Sequence, residues 1–199
     1  MSVLKPGAVA KPINALIAGR WSARAIGGRP VEREKLLTLF EAARWAPSSF
    51  NEQPWRYVIA TQDDPESFER MASCLVAGNA WAKSAYLLGL SIARPRFARG
   101  GKPNIHAWHD VGAASLSMFL QAAELGLHMH EMAGFDRARA KDLLGLDDDH
   151  EPVAMLAIGY PGDPAALPEP LRAKESAPRE RLGVEQLVFL GRLGVPATF

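Results

Sequence analysis

One cysteine in 199 residues, Cys74, excludes an intrachain disulfide and fits a reducing compartment. It lies in the apolar run Met71-Ala72-Ser73-Cys74-Leu75-Val76, where an inert buried thiol is expected rather than a nucleophile. An excess of charge is missing as well. The 23 Lys and Arg nearly balance the 22 Asp and Glu, so no global field draws the chain to nucleic acid or to a membrane surface. No apolar run approaches membrane-spanning length and the N-terminus lacks a signal-type apolar core, which predicts a soluble, cytoplasmic protein. Also absent are G-x-G-x-x-G, a Walker loop, a nucleophile elbow and any internal repeat. With no nucleophile pattern of its own, the chain suits a bound cofactor that carries the hard chemical step.

What is present is a substantial core. With 48% hydrophobic residues the chain suits one compact domain, or one protomer of an intertwined oligomer. Residues 1–12 read as a flexible arm with two prolines and few anchors. A short helix is predicted over 13–18, ended at Gly19, and a turn over 27–30. A helix then starts near Val31, buries Leu36, Leu37, Phe40, Ala43 and potentially Leu39, and stops at Pro47. Strands are predicted over 55–61, 85–93, 127–132 and 152–160. Helices are predicted from Asp64 to about 77, over 110–125 and over 137–144, with Gly126 and Gly145 as stops. Residues 94–103 have no period and read as an excursion, and 161–182, with five prolines, as an extended tail. The last stretch, VEQLVFLGRL, reads as a short amphipathic helix or strand. Intermixed strands and helices without regular crossovers predict an α+β layer fold.

Candidate chemistry sits in a few places. Arg20 and Arg24 flank Ser22 at alternate positions, and Arg179 and Arg181 repeat that spacing. Arginine forks suit phosphate oxygens, although surface arginines are more often simply solvated. The loop Ala46-Pro47-Ser48-Ser49-Phe50-Asn51-Glu52-Gln53-Pro54 offers donors and acceptors that match the polar edge of a heteroaromatic ring; the plain alternative is a helix stop. Lys83, with Asn79, either sets a cation beside an oxygen that gains charge or faces solvent. His106, His109, Asp110, His128, His130 and Glu131 include metal-ligand types, but no metalloenzyme spacing, so pocket-lining or structural histidines are expected and no metal.

Taken together, Arg20-Trp21-Ser22-Ala23-Arg24, the run Ala42-Ala43-Arg44-Trp45-Ala46-Pro47-Ser48-Ser49-Phe50-Asn51-Glu52-Gln53-Pro54-Trp55, Gly126-Leu127 leading to Met132-Ala133-Gly134-Phe135-Asp136, the strand to Gly159 and Arg179-Glu180-Arg181 resemble the nitroreductase family of FMN enzymes. The resemblance spans about residues 13–195. It implies an α+β fold with a mixed sheet flanked by helices, one domain over 13–199, in an interlocked homodimer with FMN at the interface. Arg20, Trp21, Ser22, Arg24, Arg179 and Arg181 would then serve the phosphate, ribityl and pyrimidine side. Pro47, Ser48, Ser49 and Asn51 would arrive from the other subunit. Met132, Ala133 and Gly134 would lie near the flavin N5, and Asn79 and Lys83 at the pyrimidine edge. Residues 94–108 would form a variable lid with Phe97, His106 and Trp108 as substrate contacts, or serve packing alone. Where many relatives carry an acidic residue, this chain has Ala133. Their asparagine and lysine also lie closer together than Asn79 and Lys83, and the His-Met-His-Glu run before Met132 is not general to the family.

The implied activity is two-step transfer from NADH or NADPH to a nitroaromatic, quinone or other electron-poor acceptor, without catalytic side chains beyond the flavin. Alternatives are a flavin enzyme of another reaction, such as dehalogenation, ene-type reduction or flavin consumption, and a flavin-binding protein without turnover.

Overall fold

The longest strand, β5 (Glu151–Pro161), is the axis of a five-stranded sheet in the computed structural model, which describes residues 3–197. On one edge β5 pairs with β3 (Leu87–Ala93), which pairs in turn with β2 (Trp55–Thr61). Its other edge is shared by β4 (His128–Met132) and the two-residue β1 (Ile26–Gly27). The α+β class is as expected, but these pairings are all antiparallel, so within one subunit the sheet is not mixed in direction.

β3 is buried along its whole length because both faces are covered. Leu88, Leu90 and Ile92 point into one core with Phe68, Met71, Trp81 and Met132. Leu87 and Ala93 point into the other, with Leu39, Val111, Met118 and Met129. The first core lies under α3 (Pro65–Ala72) and α5 (Arg137–Leu143), and the second under α2 (Arg33–Arg44) and α4 (Ala107–Glu124). In α4 the buried residues Ala107, Val111, Ala114, Met118 and Ala122 recur every three or four positions. Each large apolar side chain withdrawn from water in these layers contributes about 1.5–3 kcal/mol.

Several boundaries differ from the sequence reading. α3 ends at Ala72 rather than near 77, because Leu75 bridges Phe135 and the Cys74 carbonyl accepts from the Asp136 N–H. Residues 77–84 form a 3₁₀ run. α4 begins at Ala107, three residues earlier than 110, which puts Trp108 in its first turn rather than in a loop. In α2, Leu39 is buried and Leu37 is exposed, the reverse of the weight they were given. The tail over 161–182 is not extended throughout. It contains α6 (Glu169–Ser176), whose Pro168 and Pro170 occupy the cap and first turn, where a missing N–H costs nothing. After it, residues 184–193 hold only a 3₁₀ turn (Val184–Gln186), and Phe189 bridges Pro196.

The short helix α1 (Ala15–Gly19) is capped by the Asn14 side chain and precedes an extended segment over 20–25. Residues 3–12 carry no helix or strand, but the Lys5 N–H donates to the Gly19 carbonyl at 2.8 Å. Residues 1–2 of the expected arm and 198–199 of the expected domain lie outside the described residues.

Candidate functional site

The segment 20–25 is held from three sides. From β4, His130 Nδ1 donates to the Ala23 carbonyl at 2.9 Å, and His128 Nδ1 reaches the Ala25 carbonyl at 3.4 Å. From α6, the buried Glu175 carboxylate accepts from the Arg24 N–H at 2.9 Å and from the Ala25 N–H at 2.8 Å. From the N-terminal arm, Lys5 Nζ donates to the Glu175 and Ala177 carbonyls and lies over the Trp21 ring. These bonds stretch residues 20–25 so that Arg20, Ser22 and Arg24 open on one cavity.

That cavity holds about 290 Å³ and is lined by Lys5, Arg20, Arg24, Lys174, Arg179 and Arg181, together with Trp21, Ser22 and His130 and the short 177–178 link. No carboxylate of the described residues lines it. Arg20 shows the electrostatic consequence: its affinity for its proton is lowered, first by burial and then by the repulsion of Arg179 and Arg181, with Glu131 opposing. Its Nε is buried without a hydrogen-bond partner, its Nη2 reaches Ser22 Oγ at 3.4 Å, and its guanidinium lies over Phe119. Arg179 is fixed by donation to the Lys5 and Ala18 carbonyls. A cluster of cations in which Arg20 and Arg179 are partly desolvated and one N–H is unpaired is a site for a multivalent oxyanion, because the cations and the orphan donor gain a partner at once.

Along β4 from this cavity runs a second group. His130 meets Trp81 with the rings tilted by 58° and their centroids 4.7 Å apart. Two residues past the end of β4, the Gly134 carbonyl accepts from Asn79 Nδ2 at 2.8 Å. A Cβ at Gly134 would stand 2.9 Å from that same Nδ2, so only glycine permits this approach without a shift. Met132 is buried at the end of β4 and Ala133 is exposed beside it. Lys83 does not join this group; its Nζ pairs with Glu69 of α3 at 3.6 Å.

The polar loop forms a third group. Ser48 Oγ accepts from the Gln53 N–H at 3.0 Å, and Asp110 of α4 accepts from the Ser49 N–H at 3.0 Å. Phe50, Asn51 and Gln53 have φ of 53°, 55° and 51°. Left-handed backbone at Phe and Gln is unfavourable and persists only where the surroundings impose it, as at ligand-binding sites. Pro47 and Asn51 are exposed and Phe50 is 91% exposed. Phe97 meets Phe50 edge-on at 6.0 Å, and the Ala98 N–H donates to Glu52, which ties the 94–106 excursion to this loop. His106 stands at the N-cap position of α4 without a side-chain capping bond and, like Trp108, is exposed.

The first and third groups stand apart. Ser49 touches α4 at Asp110 and Arg20 touches it at Phe119, nine residues along the helix, which is about 13 Å. No residue of the polar loop lines the cationic cavity.

His128 and His130 tie β4 to the 20–25 segment. His130 and His128 are held at lowered proton affinity by burial, His130 at about 4, and each bonds a backbone carbonyl. Among the described residues no group of three or more His, Cys, Asp or Glu could hold a metal ion. Cys74 is fully buried, and burial pushes its thiol up. Sequence reasoning missed Lys5, Lys174 and Glu175, which lie 150 or more residues from their partners or outside any motif and leave no local signal.

Fold and cavity thus define an α+β protein with a cationic recess suited to a phosphorylated ligand. The comparisons agree in kind. The model of the nitroreductase family matches residues 17–84 and 69–160. An uncharacterized 15.4 kDa protein of Mycolicibacterium smegmatis is 38% identical over 135 residues, covering 66% of this chain and 87% of that one. A Streptomyces coelicolor protein whose name proposes an NADH dehydrogenase/NAD(P)H nitroreductase is 28% identical over 167 residues, covering 74% of this chain and 84% of that one. The solved structure of an oxidoreductase containing FMN superposes with a TM-score of 0.89 at 37% identity, covering 95% of this chain and 96% of that one. The chain belongs to the nitroreductase family. No helix among the described residues is long and apolar enough to cross a membrane.

Proposed function

We propose that the protein is an FMN-dependent NAD(P)H oxidoreductase acting on a nitroaromatic, quinone or other electron-poor acceptor. The observation that carries this reading is the cavity, lined by six cations and by no carboxylate of the described residues, with its orphaned Arg20 Nε, which fits a phosphate monoester. In it Arg20, Ser22, Arg179 and Arg181 would hold the phosphate end, with Trp21 as a wall, and Arg24 would face the sugar-like chain and ring. Asn79, Met132, Ala133 and Gly134 would flank the ring further along β4, where main-chain and amide groups provide donors without charge. When bound, FMN supplies the hydride-accepting and electron-donating chemistry. This chain positions the reactants, excludes water and balances charge.

Pro47, Ser48, Ser49 and Asn51 would complete the site of a partner subunit rather than their own. Their distance along α4 from Arg20 supports that arrangement, as do the apolar side chains left exposed at Trp45, Phe50, Leu187, Leu190 and Leu193. Lys83 is assigned a lesser part, since it already pairs with Glu69. Residues 94–108 would cover the acceptor side, bringing Phe97, His106 and Trp108 near substrate. The working unit is one domain over 13–199, with 1–12 as an arm.

The test is anaerobic stopped-flow mixing of the purified yellow protein with NADH or NADPH. Rapid bleaching of the flavin's visible absorbance and recovery on adding a quinone or nitroaromatic are expected. Flavin that stays oxidised with both nucleotides refutes the nicotinamide-dependent reading. For the site itself, Arg20→Ala and Ser49→Leu should each weaken FMN retention by about tenfold or more, as expected for loss of a charge-assisted bond or a steric block. Arg33→Ala on the exposed face of α2 should leave it unchanged. Equal retention in all three variants refutes the assignment.

A further inference from the structure

The N-terminal arm is pinned beside the recess by groups that also line it. The Lys5 N–H donates to the Gly19 carbonyl at 2.8 Å and the Gly7 N–H to the Ala18 carbonyl at 3.4 Å, so residues 5–7 lie against the end of α1. Leu4 closes on Gly19, where an added Cβ would stand 3.0 Å from the leucine side chain. Arg179 Nη1 donates to the Lys5 carbonyl at 2.5 Å and to the Ala18 carbonyl at 2.6 Å, and so holds arm and helix end together. Lys5 Nζ in turn donates to the Glu175 carbonyl at 2.5 Å and the Ala177 carbonyl at 2.7 Å, with its charge 4.6 Å from the centre of the Trp21 ring.

An ammonium and a guanidinium carry more donors than these bonds use. Lys5 keeps one N–H, and Arg179 keeps Nη2 and Nε. Neither cation forms an ion pair among the described residues. The Glu175 carboxylate is turned instead to the Arg24 and Ala25 N–H groups. Docking the arm therefore brings the charge of Lys5 to Arg20, Arg24, Lys174, Arg179 and Arg181, and like charges repel. No carboxylate of the described residues lines the recess to offset this. A dianion set among the cations reverses the sign, because each then faces an opposite charge and the spare N–H groups gain an acceptor. Arm docking and anion binding favour each other.

We infer that Lys5 is a phosphate-binding residue and that residues 4–7 form a clasp, whose hold on the 16–20 and 175–179 segments tightens when a phosphate monoester binds. The inference rests on the reading of the recess as the phosphate end of the FMN site, and it adds the arm to that site. By linkage, the factor by which the ligand tightens the clasp is the factor by which the clasp tightens the ligand.

Amide hydrogen exchange in the full-length protein tests this at the Lys5 and Gly7 N–H groups, with inorganic phosphate as the probe and chloride balancing the ionic strength. Phosphate should slow both by about tenfold, within the ordinary range of coupling between sites. Lys5→Met keeps an unbranched apolar side chain over Trp21 but removes the charge, and should abolish the slowing. Lys11→Met, further along the arm and outside the recess lining, should leave it in place. The ratio of rates with and without phosphate is compared within each variant, so an arm that is merely looser does not mimic the effect. Lys5→Met should also weaken FMN about tenfold and leave riboflavin, which lacks the phosphate, within about twofold; a lysine with a purely structural part would weaken both alike. Exchange indifferent to phosphate, slowing that survives Lys5→Met, or equal weakening of FMN and riboflavin overturns the inference. A chain that takes up no flavin while phosphate slows both amides refutes the flavin reading and keeps the clasp. One that binds FMN while both amides stay indifferent does the reverse.

Discussion

His130 shows what a single side chain contributes here. It spans from β4 to the Ala23 carbonyl and so holds the segment that carries the arginines, while its other face meets Trp81. Burial is the main reason its pKa falls to about 4, against about 6.5 in an unfolded chain. Between those values the unfolded chain binds a proton that the folded one does not, so folded stability declines as pH drops from about 6.5 towards 4 and is level above that window. At its fullest the loss is on the order of 3 kcal/mol. Urea midpoints measured at fixed protein concentration should therefore fall across that window in the parent chain, and His130→Gln should flatten the fall. An unchanged slope would assign the pH dependence to other groups. At this scale the sequence was partly informative: His128 and His130 share one strand face as the alternation predicts, but their partners at 23 and 25 lie more than 100 residues away.

Among the elements, α6 matters most relative to its visibility. Its eight charge-rich residues, inside a stretch with five prolines, read as extended chain, yet they form a helix that delivers Glu175 to the backbone of Arg24 and Ala25. A buried carboxylate accepting two main-chain N–H groups cannot be removed without leaving both unpaired. Glu175→Ala should destabilise the chain by about 3 kcal/mol, lowering Tm by roughly 6–12 °C for a domain of this size. It should also loosen the cationic recess. Glu175→Gln keeps one acceptor oxygen and should lose much less. Differential scanning calorimetry of both variants checks this; equal Tm values would show that the carboxylate is not the clamp. β3 and α4 were legible for the opposite reason, since burial on all sides and three-to-four spacing are properties of a continuous stretch.

At the scale of the whole molecule, the chain leaves two loose ends. The proposed flavin-ring loop stands about 13 Å along α4 from the arginines, and the segment after α6 exposes Leu182, Val184, Leu187, Leu190 and Leu193. The proposed homodimer would resolve both, with a second copy covering the apolar tail and bringing its loop to the first copy's recess. Light scattering should give twice the 21.6 kDa chain mass. Ending the chain after Arg181 should shift it to the single mass and lower flavin retention. A full-length protein that runs at 21.6 kDa would remove the shared-site arrangement while leaving the cationic cavity standing.

The sequence by itself determined the α+β class, most of the strands and helices, the inert cysteine and the motifs at 20–24 and 47–55, because each depends on neighbours within a few residues. Only the tertiary structure decided that Lys5 and Lys174 join Arg20, Arg24, Arg179 and Arg181, that Glu175 and His130 hold the segment between them, and that Lys83 turns away to Glu69. It also chose Leu39 over Leu37 for the core and set the polar loop against Asp110 and Arg20 against Phe119, at separate points along α4. Periodicity specifies which way a side chain points within its own element. Which charges end up together depends on how elements distant in sequence pack, and no local pattern records that.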